Sequence, residues 1–365
     1  MKISAFLRKA IQTAWQRKGL VSTLLLPLSL PMMAAAALKH RRYQRQPELA
    51  HHSLFPVVVV GNIYVGGTGK TPVVIALVQA LQERGWRPGV ISRGYGVKVG
   101  EQARSGRGNL AASEFGDEPA LIARTTQAPI SVHPSRVLAL KRLHKKYPDV
   151  NVVIADDGLQ HLALGRDLEI VVQDGRGTGN GRLLPAGPLR EPASRLQSVD
   201  YLITNLSDGQ TEAAPIATLA HQLSMRLAPA RLTQLTTGES LDWPAWLAQH
   251  GKEPISAVAA IGQPERFFSM LTAAGLVLEK TIALPDHDAY EHSPFTALSS
   301  PFILITAKDA VKCERFNDPR LWVVHAAALF SDPEWLDHIE QLLRVIADKK
   351  AAVARSTHQA LNSVL

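Results

Sequence analysis

The 365 residues exceed what one hydrophobic core usually organises, and 46% hydrophobic with 20% charged residues excludes a disordered or fibrous chain. The lone cysteine, Cys313, excludes an internal disulfide and reads as a small buried hydrophobe in a reducing compartment. The net charge of +8 does not mark a nucleic-acid binder, because all nine charges ahead of Glu48 are Lys or Arg and without them the balance is −1.

Residues 1–18 place Ile3, Phe6, Leu7, Ala10, Ile11 and Ala14 at helical spacing with the basic residues largely off that stripe, which predicts a basic amphipathic helix. From Gly19 to Leu38 the chain is uncharged and mainly apolar, interrupted by Pro27 and Pro31. A secretory signal and a spanning helix are alternatives there. A basic lead that is too long weighs against the signal, and two prolines with balanced flanking charge weigh against the span. An interfacial or re-entrant anchor fits best, so residues 1–46 are expected to form a membrane-associated arm meeting a membrane surface.

Val57–Val60 is a β-branched run suited to a buried parallel strand, and it empties into Tyr64-Val65-Gly66-Gly67-Thr68-Gly69-Lys70-Thr71. The turn reads as a nucleotide triphosphate site: glycines let backbone amides close on phosphates, Lys70 reaches the β/γ-phosphates and Thr71 holds magnesium. The strict pattern has Gly where this chain has Tyr64. Val73–Gln82 is the helix the turn feeds, with Gly85 closing it.

Strand candidates follow at Pro88–Ser92, Ile130–Val132, Asn151–Asp156, Leu168–Gln173 and Tyr201–Thr204, alternating with helical segments, which predicts an α/β domain over 47–205 with a mostly parallel sheet. Arg93, in Ser-Arg-Gly-Tyr-Gly after the second strand, brings a guanidinium to the phosphate-facing end of the sheet. Asp117 and Glu118 open a helix, where negative charge is favoured, and supply a base for a hydroxyl and a metal-side acid; simple capping is the competing role. Asp156 and Asp157 end a hydrophobic strand, the arrangement that holds hydrated magnesium beside the Lys70 turn. His161 and His287 lie nearest the acidic clusters. The proline-stiffened stretch from Asn180 to Glu191 offers Arg182 and Arg190 to an anionic acceptor, or serves as a rigid connector. After a polar stretch at 206–215, strands at Ile255–Ile261, Leu276–Ala283, Phe302–Thr306 and Leu321–Ala326 predict a second, smaller α/β domain over 206–365.

Taken in order, these motifs resemble the tetraacyldisaccharide 4'-kinases of lipid A synthesis. The resemblance rests on Gly61-Asn62-Ile63 with the Gly-Gly-Thr-Gly-Lys-Thr-Pro turn, Ser92 to Gly96, Gly116-Asp117-Glu118-Pro119, Asp156 to His161, Leu184 to Glu191, Gly262 to Phe268, Asp286-His287, and Lys308 to Lys312. Two positions depart from the family's usual pattern: Ala307 stands where an acidic residue is often found, and Asp288 where a second His is common. The resemblance implies ATP- and Mg²⁺-dependent phosphorylation of the 4'-hydroxyl of an acylated glucosamine disaccharide 1-phosphate, at the cytoplasmic face of a Gram-negative inner membrane. It implies two α/β/α domains closing on one cleft, Asp117 as the acceptor-activating base with His287 as its partner, and Lys70 and Thr71 as phosphate and magnesium contacts. Glu118, Asp156 and Asp157 are then magnesium-side acids, and no obligate protein partner is implied. A membrane-associated regulatory P-loop NTPase is the alternative; Val65 stands where switch ATPases of that kind carry a signature Lys.

Overall fold

The computed structural model describes residues 13, 15–207, 209, 210, 213, 216–286 and 288–362, with side chains through 356. The predicted amphipathic helix over 1–18 therefore lies mostly outside the described residues. The apolar stretch behind it forms two helices, Leu20–Leu24 (α1) and Leu26–Arg45 (α2), broken at Leu25. Pro27 sits in the first turn of α2, where its missing N–H breaks no helical bond, while Pro31 stays within the helix. Ser22 and Ser29 are the buried residues of these helices, whereas Leu20, Val21, Leu24, Leu28 and Leu30 are exposed. The usual polarity is inverted. Among the described residues no helix is long and apolar enough to cross a membrane.

The chain divides into two compact units, the first comprising Met1–Asn205, Ala213–Ser224 and Asp332–Leu365. Its sheet is built on Val57–Gly61 (β1), whose valines are fully buried on both faces. Pro88–Ser92 (β2), Arg104–Gly106 (β3), Ile130–Val132 (β4), Val152–Asp156 (β5), Leu168–Asp174 (β6) and Tyr201–Asn205 (β7) complete it in the order β3-β4-β2-β5-β1-β6-β7. All neighbours run parallel except β3 against β4. Helix Lys70–Glu83 (α3) packs on β1, β2 and β5. Short Ala112–Phe115 (α4) leads into Asp117–Thr126 (α5), and Arg136–Lys146 (α6) puts Leu140 and Leu143 into the same core as Val57 and Val59. Val60 lies opposite Asp156 in register, so the turn after β1 and the acids ending β5 leave the sheet at one edge.

The strands of the second unit, Leu206–Glu212 with Met225–Ser331, pair in mixed orientation. Ile255–Ala259 (β10), Leu278–Ala283 (β11), Phe302–Thr306 (β12) and Leu321–Phe330 (β13) run parallel in the order β11-β10-β12-β13. His221–Gln234 (β8) continues it antiparallel from Met225 onward, and Ser240–Asp242 (β9) pairs with β8. Trp243–His250 (α7) and Pro264–Ala273 (α8) cover one face, where Trp246 packs with Phe302 and Trp322. Ala307–Cys313 (α9) covers the other, and burial pushes the Cys313 thiol up to about 12.

The strand pattern predicts one domain over 206–365, but the chain returns to the first unit after Ser331. Helix Trp335–Asn362 (α10) packs on α3, its Glu340 accepting from Trp86 Nε1 at 3.1 Å, while Lys350 pairs with Asp167 at 3.0 Å. Strand β8 had no counterpart among the predicted strands because its alternation breaks midway. Leu223, Met225 and Pro229 are buried at odd positions, Leu232 and Gln234 at even ones, and the pairing steps from Arg231 to Pro229 across a bulge.

Candidate active site

Chain β1 turns at Asn62–Gly69 into α3, and Gly66 and Gly69 hold φ of 101° and 95°, where a Cβ would strain the backbone. Three side chains fasten the outer rim of this turn. Asn62 donates to the Gly66 carbonyl at 3.0 Å, Arg176 to the Gly67 carbonyl at 2.7 Å and Asn205 to the Thr68 carbonyl at 3.1 Å. A trans peptide sends each C=O and the next N–H in opposite directions, so these bonds turn the amides of Gly67, Thr68 and Gly69 away from their anchors. The space a Cβ would take at Gly66 and Gly67 is open. The result is an amide-lined cradle at a helix N-terminus, a site for phosphate oxygens.

Asp156 and Asp157 stand beside it with opposite electrostatics. Asp156 is buried; its Oδ2 accepts from Ser92 Oγ at 2.9 Å and its Oδ1 has no hydrogen-bond partner among the described residues. Burial, then the charges of Glu118 and Asp157, push its carboxyl up to about 7. Asp157 takes a left-handed φ of 49°, which a short polar side chain tolerates. Its carboxylate lies 3.4 Å from Lys70 Nζ, and Arg190 Nη1 donates to both its oxygens at 3.1 Å. Burial would raise it, but Lys70 and then Arg190 outweigh that and bring it down to about 2. Beneath the pair, buried Arg136 donates to the carbonyls of Asp156 and Asp157 at 3.2 and 3.1 Å and fixes the turn.

Glu118, second residue of α5, lies close enough for its charge to raise the pKa of Asp156. Asp117 opens the helix behind Gly116, whose φ is 92° and whose missing Cβ would sit 2.8 Å from the Tyr95 carbonyl. The glycine brings the helix start against the turn after β2. The oxygens of Thr71, Glu118, Asp156 and Asp157 are the hard donors magnesium takes, and the unpartnered Asp156 Oδ1 is suited to it. Among the described residues no three His, Cys, Asp or Glu side chains form a ready-made metal cage.

This arrangement has counterparts. A family model described as tetraacyldisaccharide-1-P 4'-kinase, LpxK, matches residues 21–344. The chain belongs to this kinase family. The tetraacyldisaccharide 4'-kinase of Bordetella parapertussis is 53% identical across 93% of this chain and 97% of its own, and that of Herminiimonas arsenicoxydans is 44% identical across 89% and 93%. The crystal structure of LpxK from Aquifex aeolicus in complex with ATP superposes with a TM-score of 0.75 at 25% identity, covering 90% of this chain and 99% of that one.

Within this member of the tetraacyldisaccharide 4'-kinase family the expected site residues separate into groups. Val65 to Thr71 form the cradle, and Lys70, Asp156, Asp157, Glu118 and Arg190 converge beside it. Tyr64, at the head of the turn, keeps its side chain buried under Arg176, whose guanidinium lies 4.3 Å from the ring centre. Arg93 is exposed after β2, its charge felt by Arg136 and His161. Arg182 turns to the arm instead, donating to Ser22 Oγ at 2.9 Å and Thr23 Oγ1 at 3.1 Å. His161 is held neutral, its pKa brought down to about 4 by burial and then by Arg136 and Lys39. His287 lies outside the described residues.

Arg136, Arg176 and Asn205 belong to none of the motifs that mark the site in the sequence. The last two stand at or just past the C-terminal ends of β6 and β7, the position where open parallel sheets carry ligand-facing groups, and that rule is the signal that finds them. The Leu184–Glu191 loop is more than a connector. Arg190 N donates to Ile63 O at 2.7 Å and Val65 N to Pro188 O at 2.9 Å, laying the loop along the entry to the cradle.

Proposed function

We propose that this chain transfers the γ-phosphoryl group of ATP to the 4'-hydroxyl of an acylated glucosamine disaccharide 1-phosphate. The carrying observation is the amide cradle ending in Lys70-Thr71 with the Asp156-Asp157 pair at the adjacent strand end, in a chain matched along its length by kinases of this name. Lys70 and the cradle amides orient the transferring phosphate, which is most of what phosphoryl transfer asks of a protein. Thr71 with Asp156, Asp157 and Glu118 would hold magnesium, which would supply charge neutralisation on the phosphates. Asp117, at the first turn of α5 where the helix N-terminus favours negative charge, takes the hydroxyl proton. Arg190 keeps Asp157 ionised and aligned.

The acceptor's acyl chains remain in a bilayer, so the reaction is placed at a membrane surface on the side that holds ATP. Supporting this reading, the arm buries its serines and exposes Leu20, Leu24, Leu28 and Leu30. The test is incubation of the full chain in detergent micelles with γ-labelled ATP, magnesium and the acylated disaccharide 1-phosphate. Label is expected in the lipid at the 4'-position, and Lys70→Ala is expected to lower its rate by on the order of 10²–10³-fold with the fold retained. ATP turnover without labelled lipid would instead favour a regulatory NTPase.

A further inference from the structure

The phosphate-loop pattern asks for glycine where this chain carries Tyr64, and the structure shows what the tyrosine does. Its ring is 4% exposed and forms a floor for Arg176, with the guanidinium carbon 4.3 Å above the ring centre. Along one edge the same guanidinium grips Asp174, Nε to Oδ1 at 2.9 Å and Nη2 to Oδ2 at 2.7 Å, and Asp174 is itself 3% exposed. From Nη2 it also donates to the Gly67 carbonyl at 2.7 Å. A planar group with its face on an aromatic ring and its edge on a carboxylate has little freedom left, so the carbonyl it holds is fixed too. Fixing that carbonyl fixes the direction of the Thr68 amide across the peptide plane.

We infer that Arg176 is a positioning residue of the kinase, braced by Tyr64 and Asp174, which aims the Thr68 amide of the cradle at the phosphates of the donor nucleotide. Tyr64 and Arg176 act as one device, and the first glycine of the pattern is replaced because its place is needed for the floor. The tyrosine hydroxyl, which accepts from Gln16 at 3.2 Å, is peripheral to this role. The inference rests on the nucleotide-site reading above but not on the identity of the acceptor.

The test is a double-mutant cycle on the full chain in micelles, with Arg176→Gln, Tyr64→Leu and the pair, reading ATP dissociation constant, KM for ATP and kcat for lipid labelling. Each single change is expected to weaken ATP binding by about tenfold, the scale of one charge-assisted hydrogen bond, and to raise KM more than it lowers kcat. The double variant is expected to be no weaker than the worse single one. Arg176→Lys is expected to recover only part of the loss, since it keeps charge without fork or face, and Tyr64→Phe to bind ATP more tightly than Tyr64→Leu. Effects that multiply in the double variant, or single variants that lose thermal stability while binding ATP normally, would overturn the inference. ATP binding that follows the expected pattern without lipid labelling would retain it and reject the acceptor assignment alone.

Discussion

In metal-free protein below about pH 7, Asp156 holds a proton that its unfolded counterpart would release. Its pKa is 3.8 in the open chain and about 7 in the fold, so between those values unfolding frees a proton and the folded state binds more of them than the unfolded. The group's contribution to stability therefore falls as pH rises through that window and levels off above it. For metal-free protein, the thermal midpoint of the wild type is expected to drop relative to Asp156→Asn from about pH 4 to pH 7; parallel profiles for the two proteins would refute this. Asp157 works with the opposite sign, its pKa lowered to about 2, so its contribution is lost only as pH falls below 3.8 toward that value. Gly116 is the other residue whose identity is dictated locally. With φ at 92° and the Tyr95 carbonyl 2.8 Å from a would-be Cβ, Gly116→Ala is expected to cost about 1–3 kcal/mol in denaturant unfolding. It should also lower kcat, because Asp117 follows directly on the displaced residue.

At the scale of elements, the strands that were plain in the sequence are those with uninterrupted β-branched runs, such as Val57–Val60, since burial on both faces leaves no other composition. Glycine and Lys-Thr chemistry likewise made the cradle legible. What stayed hidden depended on partners distant in the chain. Arg176 looks like any charged turn residue until Tyr64 and Gly67 O are beside it, and Arg182 looks like a phosphate ligand until Ser22 claims it. Helix α10 was hidden in the same way, since nothing local to residues 335–362 says which core the helix joins. Trp335 is fully buried and lies 6.1 Å from Tyr201 of β7, so Trp335→Ala is expected to cost about 3–5 kcal/mol in chemical denaturation, with the loss felt in the unit that holds ATP. A loss confined to the second unit would contradict that assignment.

For the whole molecule, the arm and the cradle meet through one loop. Ser22 donates to the Ala186 carbonyl at 2.5 Å, and Ser29 donates to Leu183 O at 3.0 Å while accepting from Ala186 N at 3.2 Å. Further along, His40 meets Glu191 at 3.0 Å, Glu191 accepts from Gln160 at 2.7 Å, and Gln160 donates to Asn62 O at 3.0 Å. Deleting residues 1–38 is expected to lower labelling of lipid more than binding or hydrolysis of ATP; equal losses would make the arm part of the nucleotide site's framework. The inverted polarity of α1 and α2 also decides how the exposed apolar surface of this enzyme should be made more polar. Truncation would remove the serines that satisfy buried carbonyls of the loop, stripping a structural member along with the greasy surface. Recolouring that surface, with Leu20, Leu24, Leu28 and Leu30 changed to glutamine, leaves every one of those bonds in place and removes only the side chains that face outward.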